Sequence, residues 1–167
     1  KNQLQRRVLP SINSSLSEKP DVASAKVLAC NRSPKKVFQG QTHGHEGFLL
    51  SKNEALALLQ KHPEYAEVLK PFLIGDEMIS NIKSQPERIV IDFTLKDVNQ
   101  ASTFKEVFKK IQKTVFPERE RKATEQAIEN QKSLEINPSA KINKHHINFF
   151  NKWWQLSYGR EDMLVEI

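Results

Sequence analysis

An α+β domain, with a small mixed or antiparallel sheet flanked by helices, is the fold class that three stretches of this 167-residue chain predict. Residues 88–93 read Arg-Ile-Val-Ile-Asp-Phe, three β-branched residues ahead of an aromatic, which is the strongest strand signature present. Phe104, Val107, Phe108, Ile111 and Val115 recur at helical spacing and make one side of a helix apolar. Ser51-Lys52-Asn53-Glu54 has the form of a capping box, in which the serine accepts from the third helical amide and the glutamate returns to the serine N–H.

The remaining elements follow in order. Residues 1–34 are punctuated by Pro10, Pro20 and Pro34 and read as irregular, with 22–30 a strand or short helix and 31–34 a turn. Val37-Phe38 and Phe48-Leu49-Leu50 are candidate strands, and the three glycines in residues 39–47 make the connection between them a loop. The capped helix presents Leu56, Leu58 and Leu59; Pro63 restarts the chain into a second helix over 64–70 that buries Tyr65, Val68 and Leu69 until Pro71 stops it. Residues 72–76 read as a short strand and turn. Pro117 ends the amphipathic helix, and 118–136, with few apolar positions, reads as a solvent-exposed helix broken at Asn137-Pro138-Ser139.

Composition sets the outer bounds. The length suits one domain with a genuine core. The first residue is Lys1, and the first forty residues lack periodicity, which reads as a piece of a longer polypeptide. No apolar run reaches the roughly eighteen residues of a membrane span, and no signal-peptide pattern opens the chain. The single cysteine, Cys30, excludes an internal disulfide framework and a cysteine-rich zinc site, and it fits a reducing cytoplasm. The net charge of +6 is one-sided: residues 1–40 hold eight Lys or Arg against two acids, and the rest of the chain balances. Such a segment suits an electrostatic nucleic-acid footprint, and equally a solvated tail.

Residues 148–160 concentrate both tryptophans, two phenylalanines and one of the two tyrosines. In an extended segment adjacent tryptophans point to opposite faces, one toward a core and one toward a surface. Gln155, Tyr158 and Arg160 add an amide, a phenol and a guanidinium. Ahead of this run stand Phe116-Pro117-Glu118-Arg119, Gln85-Pro86-Glu87-Arg88-Ile89-Val90-Ile91-Asp92-Phe93, Gly47-Phe48-Leu49-Leu50 and Val37-Phe38-Gln39-Gly40. This ordered set, ending in Trp153-Trp154-Gln155 and Arg160, resembles the target-recognition region of MmeI-like enzymes over about residues 35–167. Those are single-polypeptide DNA adenine methyltransferases, many of them fused to a restriction endonuclease.

The resemblance implies a domain over 35–167 that recognises a sequence in duplex DNA, with 1–34 a basic linker from a methyltransferase domain of the same polypeptide. That partner domain would use S-adenosylmethionine; this chain holds neither its cofactor loop nor its Asn-Pro-Pro-aromatic motif, since Asn137-Pro138 continues as Ser139-Ala140. No cofactor, metal or catalytic residue is therefore expected in it. Lys35 and Lys36 are candidates for phosphate contact. Gln39, Gln41, His43 and His45, in a glycine-rich loop, are candidates for base edges, because amides can pair with adenine and long donors with guanine. Arg88 opens the strand and either projects toward DNA or pairs with Glu87 or Asp92. Lys144, His145 and Arg160 complete the candidate contacts. Two other readings use the same residues: a non-catalytic protein-interaction or spacer module with the aromatics as core or interface, and a metal nuclease built on the histidine pairs 43/45 and 145/146.

Overall fold

The computed structural model describes residues 8–10, 12–13, 16, 35, 37–80 and 85–166. The readings made for 22–30 and 31–34, and the candidate Lys36, lie outside the described residues. Packing divides the chain into two units, Lys1–Phe38 and Gln39–Ile167. In the first, Lys35 Nζ sits 4.6 Å over the ring of Phe38, and Val37-Phe38, predicted as a strand, has no regular structure.

The second unit is α+β. Its sheet has three antiparallel strands, β1 (Leu49–Ser51), β2 (Leu69–Phe72) and β3 (Arg88–Ile91), in the order β1-β3-β2. The most β-prone stretch thus takes the centre, pairing Leu50 with Ile89 on one side and Pro71 with the same Ile89 on the other. Pro71 is tolerable there because β2 is an edge strand, where a missing N–H costs no ladder bond on the open side. Helices α1 (Lys52–Lys61), α2 (Gly75–Ser80), α3 (Val98–Ser102), α4 (Lys105–Thr114), α5 (Phe116–Ile136), α6 (His145–Asn151) and α7 (Glu161–Glu166) complete the unit, with 3₁₀ turns at Glu46–Phe48 and Pro63–Glu67. None of the described helices is long and apolar enough to cross a membrane.

Local chemistry accounts for the start of α1. Ser51 is both the last residue of β1 and the N-cap: its N–H donates to Glu54 Oε2 at 2.8 Å and its Oγ accepts from Glu54 N at 3.3 Å. A second box, Asp97 with Gln100, starts α3 and is absent from the sequence reading. On α1 Ala55 is buried and Leu58 and Leu59 pack against the core as expected, whereas Leu56 is 57% exposed.

Three expectations give way to tertiary structure. The helix over 64–70 is instead a 3₁₀ turn followed by β2. The residue before a proline disfavours the helical region, and β3 offers Lys70 and Pro71 partners in Val90 and Ile89; the expected buried set, Tyr65, Val68 and Leu69, is retained. Pro117 does more than mark the end of α4, which stops at Thr114: it sits in the first turn of α5, where its missing N–H has no intrahelical acceptor to lose. The aromatic run is not extended: α6 and a turn carry it, so both Trp153 and Trp154 are half-buried against a core that includes Phe48, Ile91, Phe93, Val107 and Ile111.

Candidate nucleic-acid interface

Polar side chains on one stripe of α5 build the region around α6. Arg119, Ala123 and Gln126 are buried, at the spacing of one helical face. Gln126 Oε1 accepts from the N–H groups of His146 at 2.9 Å and Ile147 at 3.3 Å, satisfying first-turn amides of α6 that have no intrahelical partner. At the other end, Arg119 Nη1 donates to the main-chain oxygens of Gln155 (2.8 Å), Lys152 (3.2 Å), Trp153 (3.3 Å) and Phe149 (3.4 Å), and Nη2 to Ser157 Oγ (3.1 Å). A cation at the carbonyl end of a helix also opposes its dipole favourably. One turn beyond Gln126, the Asn130 side chain exchanges hydrogen bonds with the main chain of Asn143, Nδ2 to O at 2.7 Å and N to Oδ1 at 2.9 Å. The stripe holds α6 at both ends. The expectation of a solvent-exposed helix is therefore corrected: polar identity concealed a buried face.

Arg119 is 6% exposed and lies over the rings of Phe48 and Phe149 at 5.2 and 5.6 Å. Its hydrogen-bond acceptors are all uncharged oxygens. Burial pushes its pKa down to about 10, so it remains a cation at neutral pH.

Holding Ser157 in place positions the glycine-rich loop. Thr42 and Tyr158 form an antiparallel bridge, N–H to carbonyl at 3.0 and 3.1 Å, and Ser157 N donates to His43 O at 3.3 Å. Gly44, at φ +71°, is where the loop turns; a Cβ there would lie 1.8 Å from Ser157 Oγ. A Cβ on Gly47 would meet Thr114 Oγ1 at 2.3 Å, and one on Gly159 would meet Thr94 at 2.2 Å. These glycines serve internal packing, whereas Gly40 faces open space.

The loop's candidate side chains are largely engaged. Gln41 Nε2 donates to Asp92 Oδ2 at 2.8 Å and to Gly159 O at 2.9 Å, using both its protons. His43 Nδ1 accepts from His45 N at 3.2 Å, with its ring edge on Phe72. His45 Nδ1 accepts from Gly47 N at 2.8 Å, which places its ring proton on Nε2, 2.7 Å from Glu118 Oε2. Gln39 Oε1 accepts from Arg160 Nη2, and the Arg160 guanidinium lies 5.2 Å from the Tyr158 ring. Arg160 itself has φ +57°, a left-handed conformation uncommon for a side chain of this size.

A cleft of about 240 Å³ opens between the loop, α5 and α6, and both His45 and His145 line it. Gln39, Gln41, His43 and Arg160 do not line it, although Thr42 and Tyr158, their neighbours in sequence, do. The other candidates are elsewhere. Arg88 donates through Nε and Nη2 to Glu77 Oε1, both at 3.0 Å, so its ion-pair partner is neither Glu87 nor Asp92. Lys144 is the exposed residue preceding α6 and does not line the cleft. Lys35 belongs to the first unit. The cleft adds Arg119 and Lys122, which periodicity and composition do not single out, and His146, considered from the sequence only as a metal ligand. Compared with family models, with curated proteins and with solved structures, the chain matches none.

Among the described residues no three His, Cys, Asp or Glu side chains converge as metal ligands, and the two histidine pairs are engaged differently. His43 and His45 bond within the loop, while His145 packs edge-on against His146 and Phe149 at 4.9 and 4.7 Å. Glu118, shared between Lys122 Nζ at 2.6 Å and His45, has its carboxyl held below its ordinary value, first by Lys122 and then by His45.

Proposed function

We propose that this chain is a sequence-specific duplex-DNA recognition domain acting for an adenine methyltransferase domain of the same polypeptide. The observation that carries this reading is the meeting of the first and last motifs of the ordered set. The loop at 39–46 and the run at 157–160 are joined by the Thr42–Tyr158 bridge and border one cleft lined by Arg119, Lys122 and imidazoles. Such a face supplies donors for phosphate and side chains for base edges close together. His145 and the half-exposed Tyr158 present polar atoms to it. Gln41, with its amide nitrogen engaged inside, acts by shaping the loop.

The test is fluorescence anisotropy of the purified chain with duplex DNA across a salt series. Affinity should fall linearly in log salt, and changing Lys35 and Lys36 together to alanine should flatten that slope by about two. Absence of duplex binding at low salt would overturn the reading. A protein-docking module is the second reading, favoured by an apolar groove of about 490 Å³ beside α1, lined by Leu56, Leu59, Pro71, Pro86 and Ile89.

A further inference from the structure

We propose that the cleft over Arg119 seats one phosphodiester group of a nucleic-acid backbone, so that it positions the domain and reads no base. The inference deepens the DNA reading and rests on it for the source of the phosphate. Its residues are Arg119, Lys122, His145, His146, Thr42 and Tyr158, and all of them line the cleft.

Hydrogen-bonding capacity is the first argument. Among the described residues, the imidazoles of His145 and His146 and the hydroxyls of Thr42 and Tyr158 have no hydrogen-bond partner inside the protein. Each can donate one proton, since a neutral imidazole keeps one N–H and a hydroxyl rotates to suit. Four unengaged groups from three separate segments around a cationic floor can all donate to one oxyanion.

Charge is the second. Arg119 and Lys122 bring two positive charges to the lining and Glu118 one negative. Glu118 directs one oxygen to Lys122 and the other to His45, so neither is left bare toward an incoming anion. Arg119 has no carboxylate partner of its own, and it remains charged at neutral pH. A phosphodiester carries one negative charge and matches this balance. A phosphate monoester, at roughly −1.5 to −2 near neutrality, exceeds it.

The experiment follows the histidine ring resonances of the full chain by NMR during millimolar titrations with dimethyl phosphate and, separately, inorganic phosphate. Duplex affinity is measured in parallel for Lys122→Ala and His146→Ala. Arg119 is left intact because it holds α6. Dimethyl phosphate should shift the His145 and His146 rings more strongly than inorganic phosphate does, and Lys122→Ala should abolish the shift. Both variants should weaken duplex binding equally for all sequences, and Lys122→Ala should lower the salt slope by about one. Stronger shifts with inorganic phosphate would overturn the inference in favour of a free-phosphate site, and no shift with either would remove the site altogether. Tight duplex binding that Lys122→Ala leaves unchanged sinks this inference while the DNA reading stands. If the wild-type chain binds no duplex, the DNA reading fails, and the dimethyl phosphate titration alone decides whether the cleft is a phosphodiester seat.

Discussion

Replacing Arg119 with methionine keeps a long side chain in the α5 stripe but removes its donors and its charge. Five acceptors then lose their partner: the carbonyls of Phe149, Lys152, Trp153 and Gln155, and Ser157 Oγ. Nη1 has only two protons for its four carbonyls, so the loss is nearer three hydrogen bonds than five. A hydrogen bond from a charged donor is worth about 1.5–3 kcal/mol, which would put the gross loss at roughly 4–9 kcal/mol. Burying a guanidinium carries a desolvation cost of several kcal/mol that the methionine variant escapes. The net expectation is a destabilisation of about 2–4 kcal/mol. For a domain of this size that lowers the melting temperature by roughly 8–15 °C. Thermal unfolding followed by circular dichroism measures it, and tryptophan emission supplies a local probe, because Trp153 lies directly beside the clamp. Arg119→Lys, which keeps the charge but fewer donors, should fall between wild type and methionine. A methionine variant that melts at the wild-type temperature with unchanged emission would refute the account, showing that α6 is held by its apolar face alone.

Two further outcomes are expected of the tryptophans and of Glu118. Trp153 packs between Phe108 and Phe116, each at 5.2 Å, so Trp153→Ala should cost about 3 kcal/mol in chemical denaturation. Trp154→Phe keeps an aromatic ring and loses the Nε1–H bond to Lys96 O at 2.9 Å, for a cost of about 1 kcal/mol; equal losses would mean that the ring packing of Trp153 is not decisive. Glu118 is held below its ordinary pKa of 4.5 in the folded chain, so its stabilisation is present above about pH 4.5 and is lost as pH falls through the lower folded value. The melting-temperature difference between wild type and Glu118→Gln should therefore be largest near neutrality and close in acid; an offset constant across pH would show that the carboxylate's ion pairs do not stabilise the fold.

By itself the sequence determined those elements whose cause is local. The central strand at Arg88–Ile91, the capped start of α1 and the amphipathic α4 each follow from propensity, periodicity or a four-residue cap. Residues that act through a distant partner were decided only by tertiary structure. Lys70 and Pro71 became strand because β3 offered hydrogen bonds that a local helix signal cannot register. The cleft shows the same division: His45 and His145 were legible as polar residues near glycine and aromatic runs, but Arg119 and Gln126 read as solvent-facing. A charged or amide side chain is buried only where unpaired carbonyls or amides wait for it. Those groups belong to the ends of α6 and to the turn after it, 20 to 36 residues further along the chain.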